Sequence, residues 1–299
     1  MENKLKSTIS YRATNIEGLD EEEILRLEKV YQKTSFDEKS NVLSEETITP
    51  DGILEHKAVY AYTAEGQIRE EILMEEDGFV SEHRTMEYNS EGKLISERLH
   101  YLDESYDETV FEYDSAGLLV SKITTDSDGE VTSKVFLTYE NGRLVKESEE
   151  NEEGDVLLRN EFKFDEAGNL IEESVVGGAE EYTATHEYDA DGHRKVSRKY
   201  NEEGHLIERY TYTRDEFGKL TDIKEETVSG IELMHMEYDE AGNVILQEST
   251  TESEEVVSRI ERTYIASNLV NTSTVFIAGK GQRTPQHYRL RFDYEFWSE

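Results

Sequence analysis

The chain has 299 residues, 34% of them charged and 35% hydrophobic, and its 69 acidic against 32 basic residues leave a net charge of −37. That charge disfavours direct nucleic-acid binding, because phosphates would be repelled. The absence of cysteine excludes disulfides, thiolate nucleophiles and cysteine-ligated zinc.

Residues 1–30 read as an N-terminal cap. They hold no stretch apolar enough for a signal peptide or a membrane span, which points to a cytoplasmic protein without membrane association. The segment from Asp20 to Tyr31 allows two readings, a short capped helix or a long first strand. The alternation of Leu25, Leu27 and Tyr31 favours the strand.

From residue 31 to 271 one unit returns every 24 to 26 residues: an aromatic, an acidic turn, a glycine and a branched aliphatic. Copies stand at Tyr88, Gly92 and Leu94, at Tyr113, Gly117 and Leu119, at Phe164, Gly168 and Leu170, at Tyr188 and Gly192, and at Tyr238, Gly242 and Val244. The outer copies put Ser40 and Asn268 in the glycine slot, as terminal repeats are free to do. Two residues break the other columns, Arg194 in the aliphatic one and Arg214 in the aromatic one.

A second set of glycines lies midway, among them Gly52, Gly78, Gly129 and Gly204. The unit is therefore a hairpin, with a turn roughly every 12 to 13 residues and strands of about eight. In Asp-x-x-Gly the aspartate caps a type I turn, and glycine takes the positive-φ position that closes it as a bulge. The shorter copy at Asn141-Gly142 suits a two-residue type I′ turn instead.

Connections this short exclude βαβ crossovers, so the expected fold is an all-β antiparallel meander of about twenty strands built from the hairpin repeats. At roughly 4.8 Å per strand it would extend about 95 Å, and open sheets beyond about ten strands curl or split. The expectation is an elongated sheet, twisted or curled and thin in section. It has an edge strand at each end, exposed or paired with a neighbour.

Residues 272–299 read as a C-terminal capping hairpin turning near Gly279-Lys280-Gly281 and presenting Phe292, Tyr294, Phe296 and Trp297. The tail is also the least acidic part of the chain. Arg283, Arg289 and Arg291 make it a candidate docking surface.

Chemistry is sparsely written. The eight histidines are scattered, and His193 and His205 fall at turns on opposite ends of the sheet, too far apart to share a metal. The stretch from Asp126 to Glu130 opens like a calcium loop but lacks the later ligands. With carboxylates this abundant, no chance pair signals a glycosidase, and no nucleophile elbow, phosphate loop or dinucleotide fingerprint occurs. The expectation is a protein without catalytic residues, metal or cofactor.

Binding is what remains, and the eighteen tyrosines suit it. Tyr88, Tyr113, Tyr188 and Tyr238 read first as a packing ladder that holds hairpins in register. Tyr200, Tyr210 and Tyr212, with Arg194 and Arg214 breaking the columns nearby, are the candidates for contact with a partner.

The string Tyr113-Asp114-Ser115-Ala116-Gly117-Leu118-Leu119, with its copy at Tyr188-Asp189-Ala190-Asp191-Gly192, resembles the YD repeat of bacterial Rhs and teneurin-related proteins. The resemblance covers residues 31 to 271. It implies a β-sheet that in that family spirals into a shell around a secreted toxin, with carbohydrate binding in some members. The self-cleavage core and the toxin module of that family are missing here, and the chain is too short to enclose a toxin.

Three functions follow as expectations. The first is a protein-interaction scaffold, an immunity or chaperone-like partner of a bacterial polymorphic toxin, whose acidity would steer it to a basic toxin domain. The second is a carbohydrate-binding repeat module of a cell-surface or secreted system. The third is an acidic nucleic-acid mimic, although roughly one charge per 2.6 Å falls short of the one per about 1.7 Å of DNA.

Overall fold

The structure is a computed structural model, and it describes residues 4–279 and 284–298. Arg283 and most of the turn expected at Gly279-Lys280-Gly281 lie outside these residues. The chain opens with β1 (Leu5–Thr14), α1 (Glu21–Leu27), β2 (Lys29–Phe36), β3 (Val42–Ile48), β4 (Leu54–Tyr62), β5 (Ile68–Glu75) and β6 (Val80–Tyr88). There follow β7 (Leu94–His100), β8 (Tyr106–Tyr113), β9 (Leu119–Thr125), β10 (Val131–Glu140), β11 (Arg143–Glu150), β12 (Val156–Phe164), β13 (Leu170–Gly177) and β14 (Tyr182–Tyr188). The last are β15 (Arg194–Asn201), β16 (Leu206–Arg214), β17 (Leu220–Thr227), β18 (Gly230–Tyr238), β19 (Val244–Thr251), β20 (Val256–Tyr264), β21 (Val270–Ile277) and β22 (Gln286–Phe296).

All 22 strands belong to one sheet. The chain divides into two compact units, residues 1–83 with 233–299, and residues 84–232. In the first, antiparallel ladders run in the order β19, β20, β21, β22, β1, β2, β3, β4, β5. In the second they run without interruption from β7 to β17.

The chain ends meet inside the first unit. β1 pairs with β2 on one side and β22 on the other, the latter from Leu5 opposite Phe296 to Thr14 opposite Tyr288. Within this unit the two terminal strands are therefore paired on both sides, and this corrects the expected edge strand at each end. The physical reason is the row of unpaired amides and carbonyls that each terminal strand would otherwise present, which the other end of the same chain satisfies.

The turns form as their chemistry dictates. Asp114 shows the pattern: its Oδ1 accepts from the Ala116 and Leu118 amides (both 2.9 Å), while Gly117 at φ +83° donates its amide to the Asp114 carbonyl. Ser40 (φ 71°) and Asn268 (φ 60°) hold the same left-handed position without glycine, and Asn141 with Gly142 makes the two-residue turn with both φ positive. Glu104 (φ 69°) and Glu254 (φ 63°) occupy glycine positions of the intervening turns, where an L-residue is strained.

Tyrosines then tie one hairpin to the next. The hydroxyl of Tyr113 donates to the Leu94 carbonyl (2.9 Å), Tyr188 to Leu170 (2.8 Å), Tyr62 to Val42 (2.6 Å), Tyr264 to Val244 (2.8 Å) and Tyr294 to Val270 (2.7 Å). Each staple joins the aromatic column to the backbone of the aliphatic column one hairpin earlier. A half-buried hydroxyl finds its partner, and a carbonyl near a strand end is satisfied.

The core is thin and made of small residues. Ala13, Ile16, Ala184, Val196 and Val275 are its buried apolar members, joined by buried serines such as Ser96 and Ser121. Those hydroxyls donate to cross-strand carboxylates, Ser96 to Glu108 (2.7 Å) and Ser121 to Glu112 (2.8 Å). Long charged side chains fold over short ones, so a chain poor in large apolar residues still shields its sheet.

The segment after Asp20 is helical, which corrects the strand reading. Asp20 Oδ1 accepts from the Glu23 amide and Glu23 Oε2 from the Asp20 amide (both 2.9 Å), a complete capping box, and Glu22 pairs with Arg26 one turn later. No residue of α1 is buried, so the alternation of Leu25 and Leu27 reflects no sheet face. The strand begins only at Lys29.

Candidate partner-binding groove

In the second unit, register places Tyr182, Ala184 and His186 of β14 on the same face as Ser197 and Lys199 of β15, and these opposite Glu208 and Tyr210 of β16. They line a groove of about 220 Å³ together with Glu173, Arg194, Arg198 and Tyr212. Three of the candidates, Arg194, Tyr210 and Tyr212, are thereby brought together. Tyr200 pairs with Thr183 on β14 and lies outside the groove.

Two aromatic rings form one wall. Tyr210 and Tyr212 stack at 6.5 Å between centroids and 23° between planes. Tyr210 donates to Glu225 (2.9 Å), and burial followed by that bond pushes its hydroxyl up to about 12. On the opposite side Lys199 sits 4.5 Å from the Tyr182 ring centroid, a cation–π contact. His186 shares a hydrogen bond with the Ser197 hydroxyl (3.0 Å), and burial, then the charge of Arg194, lowers its pKa.

Arg194 is the exceptional member. It stands where other repeats carry Leu, Ile or Val, opposite Tyr188, and among the described residues its only side-chain hydrogen bond is a long one to the Tyr188 hydroxyl (3.4 Å), with the ring centroid of the same tyrosine 5.9 Å away. No carboxylate lies within ion-pair distance of it among the described residues, in a chain with more than twice as many acids as bases. Arg214, in the aromatic column, donates to the Gly218 carbonyl (3.5 Å), and its buried Nε has no hydrogen-bond partner among the described residues.

The tail arginines have a different setting. Arg289 is buried and bonds Glu21 (2.5 Å) and Glu28 (3.0 Å), while Arg291 bonds Glu28 (2.8 Å) and Asp293 and lies 4.2 Å from the Tyr11 ring centroid. Both serve to hold α1 and Glu28 against β1 and β22. Arg283 lies outside the described residues.

Sequence reading missed one set of structural residues, those directly after the slot glycine. Lys93 lies over Gly117, Arg143 over Gly168 and His193 over Gly218, each covering the turn of the following hairpin. Lys93 also lies 5.2 Å from the Tyr113 ring centroid, and Arg143 5.8 Å from that of Phe164. The available signal was the long polar residue after these glycines. At the Gly192 turn Asp189, Asp191 and His193 bring ligand atoms within 4.8 Å of one another, but Asp189 Oδ1 already accepts from the Asp191 and His193 amides.

No family model and no characterised protein matches the chain. Among solved structures it is similar to the Tc holotoxin pore of Photorhabdus luminescens, with TM-score 0.45 and 12% identity over 96% of this chain and 17% of that one. It is similar also to TcdB2–TccC3, with TM-score 0.43 and 13% identity over 89% and 18%, and to a porin-like protein from Bacteroides uniformis, with TM-score 0.32 and 10% identity over 98% and 99%. The chain spans less than a fifth of the length of the two toxin chains. Likenesses at this level carry no conclusion about activity, substrate or partner. Among the described residues no helix is long and apolar enough to cross a membrane.

Proposed function

We propose that the chain is a non-catalytic, cytoplasmic protein-interaction scaffold, an immunity or chaperone-like partner of a bacterial toxin, and that it meets its partner at the Arg194 groove. The observation that carries this reading is Arg194 itself. A guanidinium without a carboxylate, set on a tyrosine-framed cleft in place of a packing leucine, contributes less to the sheet than the residue it replaces. A partner carboxylate would complete it. The surrounding acid steers the approach of a basic partner, and the groove then fixes its register.

The test is the substitution that makes the repeat more regular. Arg194→Leu is expected to leave the fold intact while abolishing recovery of the host partner in affinity pull-downs read by mass spectrometry. Recovery of the same partner by both proteins would remove the groove from the interaction.

A further inference from the structure

The two rims of the second unit differ in chemistry. One carries the turns of the slot glycines, such as Gly117, Gly168 and Gly218, with Phe217 and Ile171 its exposed large apolar residues. The other consists of the turns that follow β7, β9, β11, β13, β15 and β17. There Leu102 (75% exposed), Val156 (53%), Leu157 (49%), Leu206 (48%) and Val228 (88%) stand in solvent. Single exposed apolar residues are ordinary, but a row concentrated on one rim is a mark of an interaction surface.

Two further observations say what would cover it. Leu206, Ile207 and Val228 share a cleft of about 210 Å³ with Arg209, Glu226 and Thr227. In it the guanidinium of Arg209 is already matched to Glu226 (3.7 Å), which also takes Lys224 (2.8 Å), so the cleft offers apolar walls and no free cation. The turn segments 101–105, 126–130, 151–155, 178–181, 201–205 and 227–230 contain no lysine or arginine, and most carry two or more carboxylates, such as Glu152, Glu153, Glu202 and Glu203.

We infer that this rim docks a basic protein surface, one apolar side chain of which enters the Leu206–Val228 cleft while flanking lysines or arginines face the rim carboxylates. The inference rests on the reading of the chain as an interaction scaffold and adds a second surface, separate from the groove. Acid against acid disfavours a second copy of this chain on the same rim.

The probe is a synthetic 14-residue amphipathic helix of leucine and lysine, titrated into the full-length protein by calorimetry and by amide chemical-shift mapping. Two control peptides replace its leucines with glycine or its lysines with glutamate. Binding of the first peptide alone is expected, with shifts centred on residues 201–207 and 226–230. Affinity should fall at least tenfold in Val228→Ser with Leu206→Ser, and fall with a shallower salt dependence in Glu202→Gln with Glu203→Gln. Arg194→Leu should leave it unchanged, which separates failure of the rim from failure of the groove. Equal binding of the glycine peptide, shifts elsewhere, self-association lost in Val228→Ser, or uptake onto neutral phosphatidylcholine vesicles lost in that variant would each overturn the assignment.

Discussion

Arg289 and Arg194 are two arginines on sheet strands with opposite relations to the fold. Arg289 is buried between Glu21 and Glu28, so its charge is matched where water cannot reach it. Arg194 sits half-buried on a groove without a matching acid, at a position where the repeat calls for an aliphatic side chain. The difference teaches that a charged residue on a sheet strand is structural when the chain supplies its counter-charge. It is a candidate for recognition when the chain does not.

The largest expected effect comes from breaking the matched cluster. Glu28→Gln leaves Arg289 with only the exposed Glu21 and should cost about 3 kcal/mol in denaturant unfolding, the range found when one partner of a buried pair is removed. A loss below roughly 0.5 kcal/mol would show that Arg289 is solvated after all. Arg194→Leu should have the reverse sign and raise stability by about 1 kcal/mol, as apolar surface replaces a guanidinium without a carboxylate partner. A marked loss of stability would make Arg194 structural and dissolve the contrast.

Smaller effects test the repeat that Arg194 interrupts. Tyr113→Phe deletes the bond to the Leu94 carbonyl and should cost about 1 kcal/mol. Glu254→Gly relieves a left-handed backbone and should stabilise by about 0.5 to 1 kcal/mol, whereas Gly129→Ala, where no atom would meet the added methyl, should cost about 1 kcal/mol from backbone strain alone. Both can be read from thermal midpoints.

Acid should loosen the turns last among these. Asp165 and Asp239 are held below the ordinary carboxylate value chiefly by side-chain hydrogen bonds from Asn169 and Asn243. A depressed folded-state pKa means stability that is present above the unfolded value of about 3.9 and is lost as pH falls through the lower folded value. Asp165→Asn should therefore lessen the fall in thermal midpoint below pH 4. An unchanged acid profile would show that this turn carboxylate makes no contribution.

Legibility followed the range of the interactions. The glycine slots, the positive φ at Ser40 and Asn268 and the paired turn at Asn141-Gly142 were readable because a hairpin turn is decided within five residues. The helix after Asp20 was also local, yet the short alternation of Leu25 and Leu27 outweighed a capping box that was present in the letters. Lys93 reaching over Gly117, and Ser96 bonded to Glu108, depend on which side chains a neighbouring strand brings alongside. Of the site, the sequence marked Arg194 as a departure from its column and Tyr210 and Tyr212 as tyrosines near it, but not His186, Lys199 or Tyr182 beside them, nor Tyr200's place outside the groove.

By itself, the sequence determined a meander of glycine-closed hairpins bound by aromatic and aliphatic columns, because turns and adjacent-strand pairs are short-range and repeat with the letters. Tertiary structure alone decided that β1 would pair with β22 and that Glu28 would neutralise Arg289 and Arg291. Those contacts join the two ends of the chain, more than 260 residues apart, and a local period carries no information about where its own ends meet.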